Sequence, residues 1–181
     1  MNLIEEAVLF AANAHKEQYR KGTSIPYITH PYMVGMYLQQ ANCSAEVIAA
    51  GILHDTVEDT NTTIEDLQEK FGDKVAHLVT SASENDKSLS WEDRKQHTLE
   101  MLKTQSIEEI QVIVADKLHN LKSIRADYEE VGDLVWTRFN RGKINQQWYY
   151  TSITKVVEKY EAQFSLIHEL KKEVEELFGM Y

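Results

Sequence analysis

Ser44-Ala45-Glu46-Val47-Ile48-Ala49-Ala50-Gly51-Ile52-Leu53-His54-Asp55-Thr56-Val57-Glu58-Asp59 decides the fold class of this chain. Ser44 has the side chain to cap a helix, and the apolar run from Val47 to Leu53 has little polar surface to turn to water, so the spacing predicts a central, buried helix. The run ends abruptly in one imidazole and three carboxylates. His54 with Glu58, and Asp55 with Asp59, are each four residues apart, so a helix continuing through them presents all four on one side. Ala50 and Gly51, one turn earlier, leave room for close packing of a neighbouring helix or for an ion.

Helical spacing continues on both sides of this segment. Upstream, Leu3, Ala7, Phe10, Ala11 and Ala14 form one stripe that ends in the basic loop Arg20-Lys21-Gly22-Thr23-Ser24, and Pro31 suits the first turn of a helix running to Gln40. Downstream, Thr62 with Glu65 reads as a capping box for a short helix stopping at Phe71-Gly72, and Asp73 opens the next. Ser81 to Ser90 is polar and reads as a loop. Ser90 and Ser106 start two further helices, the second nearly all-round apolar from Ile110 to Leu121 and therefore buried. A C-terminal helical region carries Trp148, Val156, Tyr160, Phe164, Ile167, Val174 and Leu177. No stretch alternates with period two between turn residues, so the fold is predicted to be all-α.

The 181 residues, with 7 Gly and 2 Pro and no linker or repeat, predict one domain over 1–181, its motif-bearing core at about 3–125 and a helical region at about 143–178. A net charge of −10 disfavours nucleic acid and anionic membrane as partners, so an anionic ligand must be captured locally. A single cysteine, Cys43, cannot form an intramolecular disulfide, and the acidic, amphipathic N-terminus is unlike a signal peptide. The expectation is a cytoplasmic protein.

Three carboxylates beside a buried helix need a cation or a shared proton, and His with carboxylates suits a divalent metal. Asp116 is a second polar intrusion, inside the apolar run Ile110 to Leu121, where a lone charge is expensive. His30, before Pro31, is a third candidate.

These residues resemble the HD superfamily of metal-dependent phosphohydrolases, whose pattern is a His, a later His-Asp pair and a distant Asp. Within it, Arg20-Lys21, Pro26-Tyr27-Ile28-Thr29-His30-Pro31, Leu53 to Thr60, Phe71-Gly72 and Ala115-Asp116-Lys117-Leu118-His119-Asn120-Leu121 are similar to the hydrolase domain of RelA/SpoT-type alarmone enzymes and to the stand-alone small alarmone hydrolases. The similarity runs from about Ala7 to Arg125 and thins beyond. Relatives commonly have a Val-Thr pair where this chain has Ala82-Ser83.

The resemblance implies a helical bundle around a divalent metal, and removal of the 3′-pyrophosphate from guanosine tetra- or pentaphosphate to give GDP or GTP, usually with manganese. It implies His30, His54, Asp55 and Asp116 as metal ligands and Glu58-Asp59 as the pair that handles the attacking water. It further implies Arg20, Lys21, Tyr27 and Asn120 at the nucleotide, and Tyr149, in Trp148-Tyr149-Tyr150, is a candidate aromatic wall for the base. Two alternatives stand beside this reading: an HD phosphohydrolase acting on another nucleotide or a phosphorylated dinucleotide cofactor, and a non-catalytic domain that binds alarmone.

Overall fold

The computed structural model describes residues 1–83 and 88–179. All-α is the architecture found: α1 (Leu3–Ala14), α2 (Thr29–Gln40), α3 (Ala45–Leu53), α4 (Thr56–Asp59), α5 (Ile64–Phe71), α6 (Asp73–Ala82), α7 (Trp91–Leu102), α8 (Ile107–Val131), α9 (Lys143–Val157) and α10 (Leu166–Phe178). Among the described residues the only strand-like pairing is an isolated antiparallel bridge between Tyr19 and Pro26. Among the described residues no helix is long and apolar enough to cross a membrane. The chain forms two compact units, Met1–Asn85 with Ser106–Asp116, and Asp86–Gln105 with Lys117–Tyr181.

In the first unit α3 is the centre, packed by α1, α2 and α6. Every residue from Val47 to Leu53 is buried, as the lack of a polar face requires, and Ser44 caps the helix by accepting from the Val47 amide. Pro31 falls in the first turn of α2, where an amide donor has no helical partner to lose. The cap of α5 lies one residue later than the spacing suggested. Thr63 accepts from the Asp66 amide and Asp66 accepts from the Thr63 amide, because an Asp side chain closes the box as Glu does. Helix α6 extends through Ser81 and Ala82, the first two residues of the expected loop, and the Thr80, Ser81 and Ser83 hydroxyls bond back to carbonyls four residues earlier, so these polar side chains are satisfied without leaving the helix. Of the rest of that expected loop, residues 84–87 lie outside the described residues.

Helices α2 and α3 meet at reciprocal glycines. A Cβ on Gly51 would stand 2.3 Å from Leu38 Cδ1, and one on Gly35 would stand 2.4 Å from Ile52 Cγ1. Gly51 therefore serves close packing rather than space for an ion. This crossing brings the start of α2 beside the end of α3, where His30 and His54 lie. Gly35→Ala is expected to destabilise the protein by about 1–3 kcal/mol through overpacking, read as a lower midpoint in urea unfolding; an unchanged midpoint would show that α2 can shift freely.

In the second unit α9 packs against α7 and α10. Arg125 holds the buried Glu173 through two hydrogen bonds of 2.7 and 3.1 Å, and Trp136 packs among Tyr128, Phe139 and Phe178.

Candidate metal centre

The helix that should present His54 to Asp59 on one face is interrupted at His54-Asp55. Local side chains cause the break. The His54 Nδ1–H donates to the Gly51 carbonyl at 2.7 Å and the Thr56 hydroxyl donates to the Leu53 carbonyl at 2.7 Å, occupying acceptors that a continuing helix would offer to Asp55 and Val57. His54 and Asp55 thus sit in the turn between α3 and the one-turn helix α4. The ring's Nδ1 is committed to the backbone, so Nε2 is the nitrogen left to face the site.

Four polar side chains from three separate segments of the first unit converge there. His30 Nε2 lies 3.4 Å from Asp55 Oδ2 and 3.2 Å from Asp116 Oδ1; His54 Nε2 lies 3.1 Å from Asp55 Oδ2 and 3.6 Å from Asp116 Oδ1. One ligand atom from each of His30, His54 and Asp116 falls within 4.8 Å of the others. His30, His54 and Asp116 are buried, and Asp55 is nearly so.

The electrostatics follow from that crowding. Burial pulls both imidazoles toward neutrality. For His30 burial prevails and lowers its pKa, whereas for His54 the Asp55 and Asp116 carboxylates outweigh burial and raise it well above its ordinary value. Burial pushes Asp55 up, but the His54 and His30 imidazoles together hold its carboxyl well below the usual range. Positive charge is therefore favoured at the centre of the cluster. His54 Nε2 is buried and makes no hydrogen bond despite the nearby oxygens, an unsatisfied polar atom that a bound cation would satisfy. Two imidazole nitrogens and two carboxylates in such an arrangement fit a divalent cation.

A second layer surrounds this cluster. The Tyr27 hydroxyl donates to Asp55 Oδ2 at 2.6 Å and lies 3.4 Å from Asp59 Oδ2. Burial, and then the Asp55 carboxylate, push its phenol far above the ordinary value, so it remains a donor. Such donors orient metal-binding carboxylates. Glu58 is half-buried and Asp59 exposed, both on α4.

A family whose description is HD domain matches residues 7–142. The chain belongs to the HD-domain family. This HD domain is 40% identical over 126 residues to the guanosine-3′,5′-bis(diphosphate) 3′-pyrophosphohydrolase MESH1 of Xenopus tropicalis, covering 68% of this chain and 70% of that protein. It is 36% identical over 127 residues to the bifunctional (p)ppGpp synthase/hydrolase SpoT of Escherichia coli strain K12; that match covers 67% of this chain but only 18% of the longer relative. Among solved structures, a metazoan ortholog of SpoT described as hydrolysing ppGpp superposes with a TM-score of 0.80 at 28% identity, covering 100% of this chain and 98% of its own.

Beyond the four clustered residues and Tyr27, the HD domain places the expected site residues as follows. Arg20 and Lys21 lie in the same unit on the loop between α1 and α2. That loop is tied by the Thr23 amide and hydroxyl, both donating to the Arg20 carbonyl, and by the positive φ of 76° at Gly22 that the turn demands. Asn120, on α8, and Tyr149, on α9, belong to the second unit. There Tyr149 is buried, with the Lys95 ammonium 4.8 Å from its ring centroid and Trp91 packed edge-on, while Trp148 remains 41% exposed.

Two residues went unread in the sequence. His15 is buried, and its Nδ1 lies 2.7 Å from Gln18 Oε1; the Gln18 amide in turn donates to the Asp59 carbonyl. The available signal was the spacing Ala7, Ala11, His15, which extends the buried stripe of α1 by one turn.

Proposed function

We propose that the protein is a manganese-dependent 3′-pyrophosphohydrolase of guanosine tetra- and pentaphosphate, acting in the cytoplasm, with the whole chain serving as one hydrolase domain. The observation that carries this reading is the convergence of His30, His54, Asp55 and Asp116 immediately before a turn of helix bearing two more acids. The names of the relatives similar to it support the choice of substrate.

His30, His54, Asp55 and Asp116 would hold the ion, and their mixed nitrogen and oxygen donors, with positions left for water and phosphate oxygens, favour manganese over zinc. A bound divalent ion supplies Lewis acidity at a phosphoryl oxygen and makes water a stronger acid. Tyr27 keeps Asp55 oriented by donating its proton to Oδ2. Glu58 and Asp59, one turn beyond the ligands, orient the attacking water and accept its proton. Arg20 and Lys21 capture the anionic nucleotide locally on a surface that otherwise repels it, the guanidinium stacking on the purine or meeting phosphate. Asn120 and Tyr149 remain candidate nucleotide contacts through the resemblance.

Incubation with manganese and a panel of nucleotides, followed by product separation, tests the reading. GDP and pyrophosphate from guanosine tetraphosphate are expected. Phosphate released only from other nucleotides or from a phosphorylated dinucleotide would move the substrate, and tight binding without turnover would make the domain a binder. In the same assay Arg20→Ala is expected to raise KM for the tetraphosphate about tenfold or more with manganese content unchanged, the size of one lost charge-assisted contact. An unchanged KM would return Arg20 to a solvated loop.

A further inference from the structure

Helix α4 carries both acids assigned to the water, yet four residues cannot sustain a helix alone, because fixing the first turn costs more than its hydrogen bonds return. Its geometry must be imposed from outside. The Asp59 carbonyl, at the end of that turn, is an acceptor with no helical donor. Gln18 Nε2 donates to it across 41 residues of sequence.

The polarity of this contact fixes the next one. With the amide nitrogen turned to the Asp59 carbonyl, the amide oxygen faces His15 Nδ1 at 2.7 Å, so Nδ1 carries the proton and donates it. The His15 ring is 1% exposed, and its Nε2 is buried without a hydrogen-bond partner. A leucine would fill the same stripe of α1 without leaving a polar atom unsatisfied. What the imidazole adds is one directed donor, and that donor points at Gln18. The His15 ring also packs at a tilt against Tyr27, whose centroid is 4.9 Å away and whose hydroxyl reaches both Asp55 and Asp59.

We propose that His15 and Gln18 are positioning residues: the buried imidazole locks the Gln18 amide, and the amide holds the end of α4 so that Asp59 stands where the water is activated. This inference rests on the reading of Glu58 and Asp59 as the water-handling pair.

Two readouts test it on Gln18→Met, His15→Leu and His15→Asn, the last placing an amide donor where Nδ1 stands. In metal-free protein, hydrogen exchange at the Asp59 and Thr60 amides, which close α4 onto Asp55 and Thr56, is expected to quicken about tenfold in Gln18→Met and His15→Leu, the size of one lost hydrogen bond, and to stay near wild type in His15→Asn. In manganese-loaded protein with guanosine tetraphosphate, kcat should fall about tenfold in the first two with KM and manganese content unchanged, and the double variant should be no worse than Gln18→Met. Asp59→Asn is assayed in parallel. If it retains full turnover, the water-handling reading fails and this inference with it. If it loses turnover while Gln18→Met keeps both its exchange and its kcat, the inference alone is overturned. Loss of manganese from Gln18→Met, or no recovery in His15→Asn, would likewise overturn it by making the pair structural.

Discussion

Glu58→Gln and Asp59→Asn are each expected to lower turnover of guanosine tetraphosphate by roughly 10²–10⁴-fold while leaving manganese bound, as expected for loss of a positioned general base. Both replacements keep size and hydrogen-bonding capacity and remove only charge and basicity. Both positions lie on α4, beyond the turn that holds His54 and Asp55, and neither is among the four side chains whose imidazole nitrogens and carboxylate oxygens lie 3.1–3.6 Å apart. Metal analysis and steady-state kinetics on the same purified variants separate the two roles. Loss of manganese from either variant would make that residue a ligand, and unchanged turnover would place activation of the water elsewhere.

Removing a residue of the cluster has a different signature. His54→Ala and Asp55→Ala should lose manganese and activity together, and they should lose the stabilisation that the ion confers. For the wild type, saturation at a hundred times Kd is worth about 2.7 kcal/mol, or about 5–10 °C in Tm for a chain of this size. The variants should show no rise when manganese is added. The effect also depends on pH. In metal-free protein the raised pKa of His54 contributes stability that is fully present below its ordinary 6.5 and is lost as pH rises through the folded value. Metal binding runs the other way, because the ligand must give up its proton, so occupancy strengthens as pH rises. The gap in Tm between loaded and metal-free protein should therefore widen from pH 6 to pH 8. A constant gap would show that no imidazole proton is displaced.

Three of the four clustered residues were legible in the sequence because each is a polar residue where polarity is costly, His54-Asp55 at the end of a fully apolar helix and Asp116 inside one, whereas His30, at a helix start where a polar side chain costs little, became a ligand through the resemblance. Their meeting in space was legible only through the resemblance, since no local spacing specifies that α2 and α3 cross at Gly35 and Gly51. The interruption at His54-Asp55 escaped periodicity because it arises from side chains competing for the Gly51 and Leu53 carbonyls, a competition that a count of apolar residues does not register. The Thr62 and Thr63 register differed by one residue because two adjacent threonines and two adjacent acids offer the same motif twice. His15 and Gln18 were hidden for a third reason. Their roles depend on Tyr27 and Asp59, which reach them only in the folded unit.

On the proposed function, turnover requires one divalent ion held by His30, His54, Asp55 and Asp116. The most direct test strips the purified protein with a chelator, adds manganese back in steps, and measures bound metal and pyrophosphate release from guanosine tetraphosphate on the same samples. Activity is expected to rise in proportion to occupancy and to level off at one ion per chain. Full turnover in the stripped protein, or activity that does not follow occupancy, would contradict it.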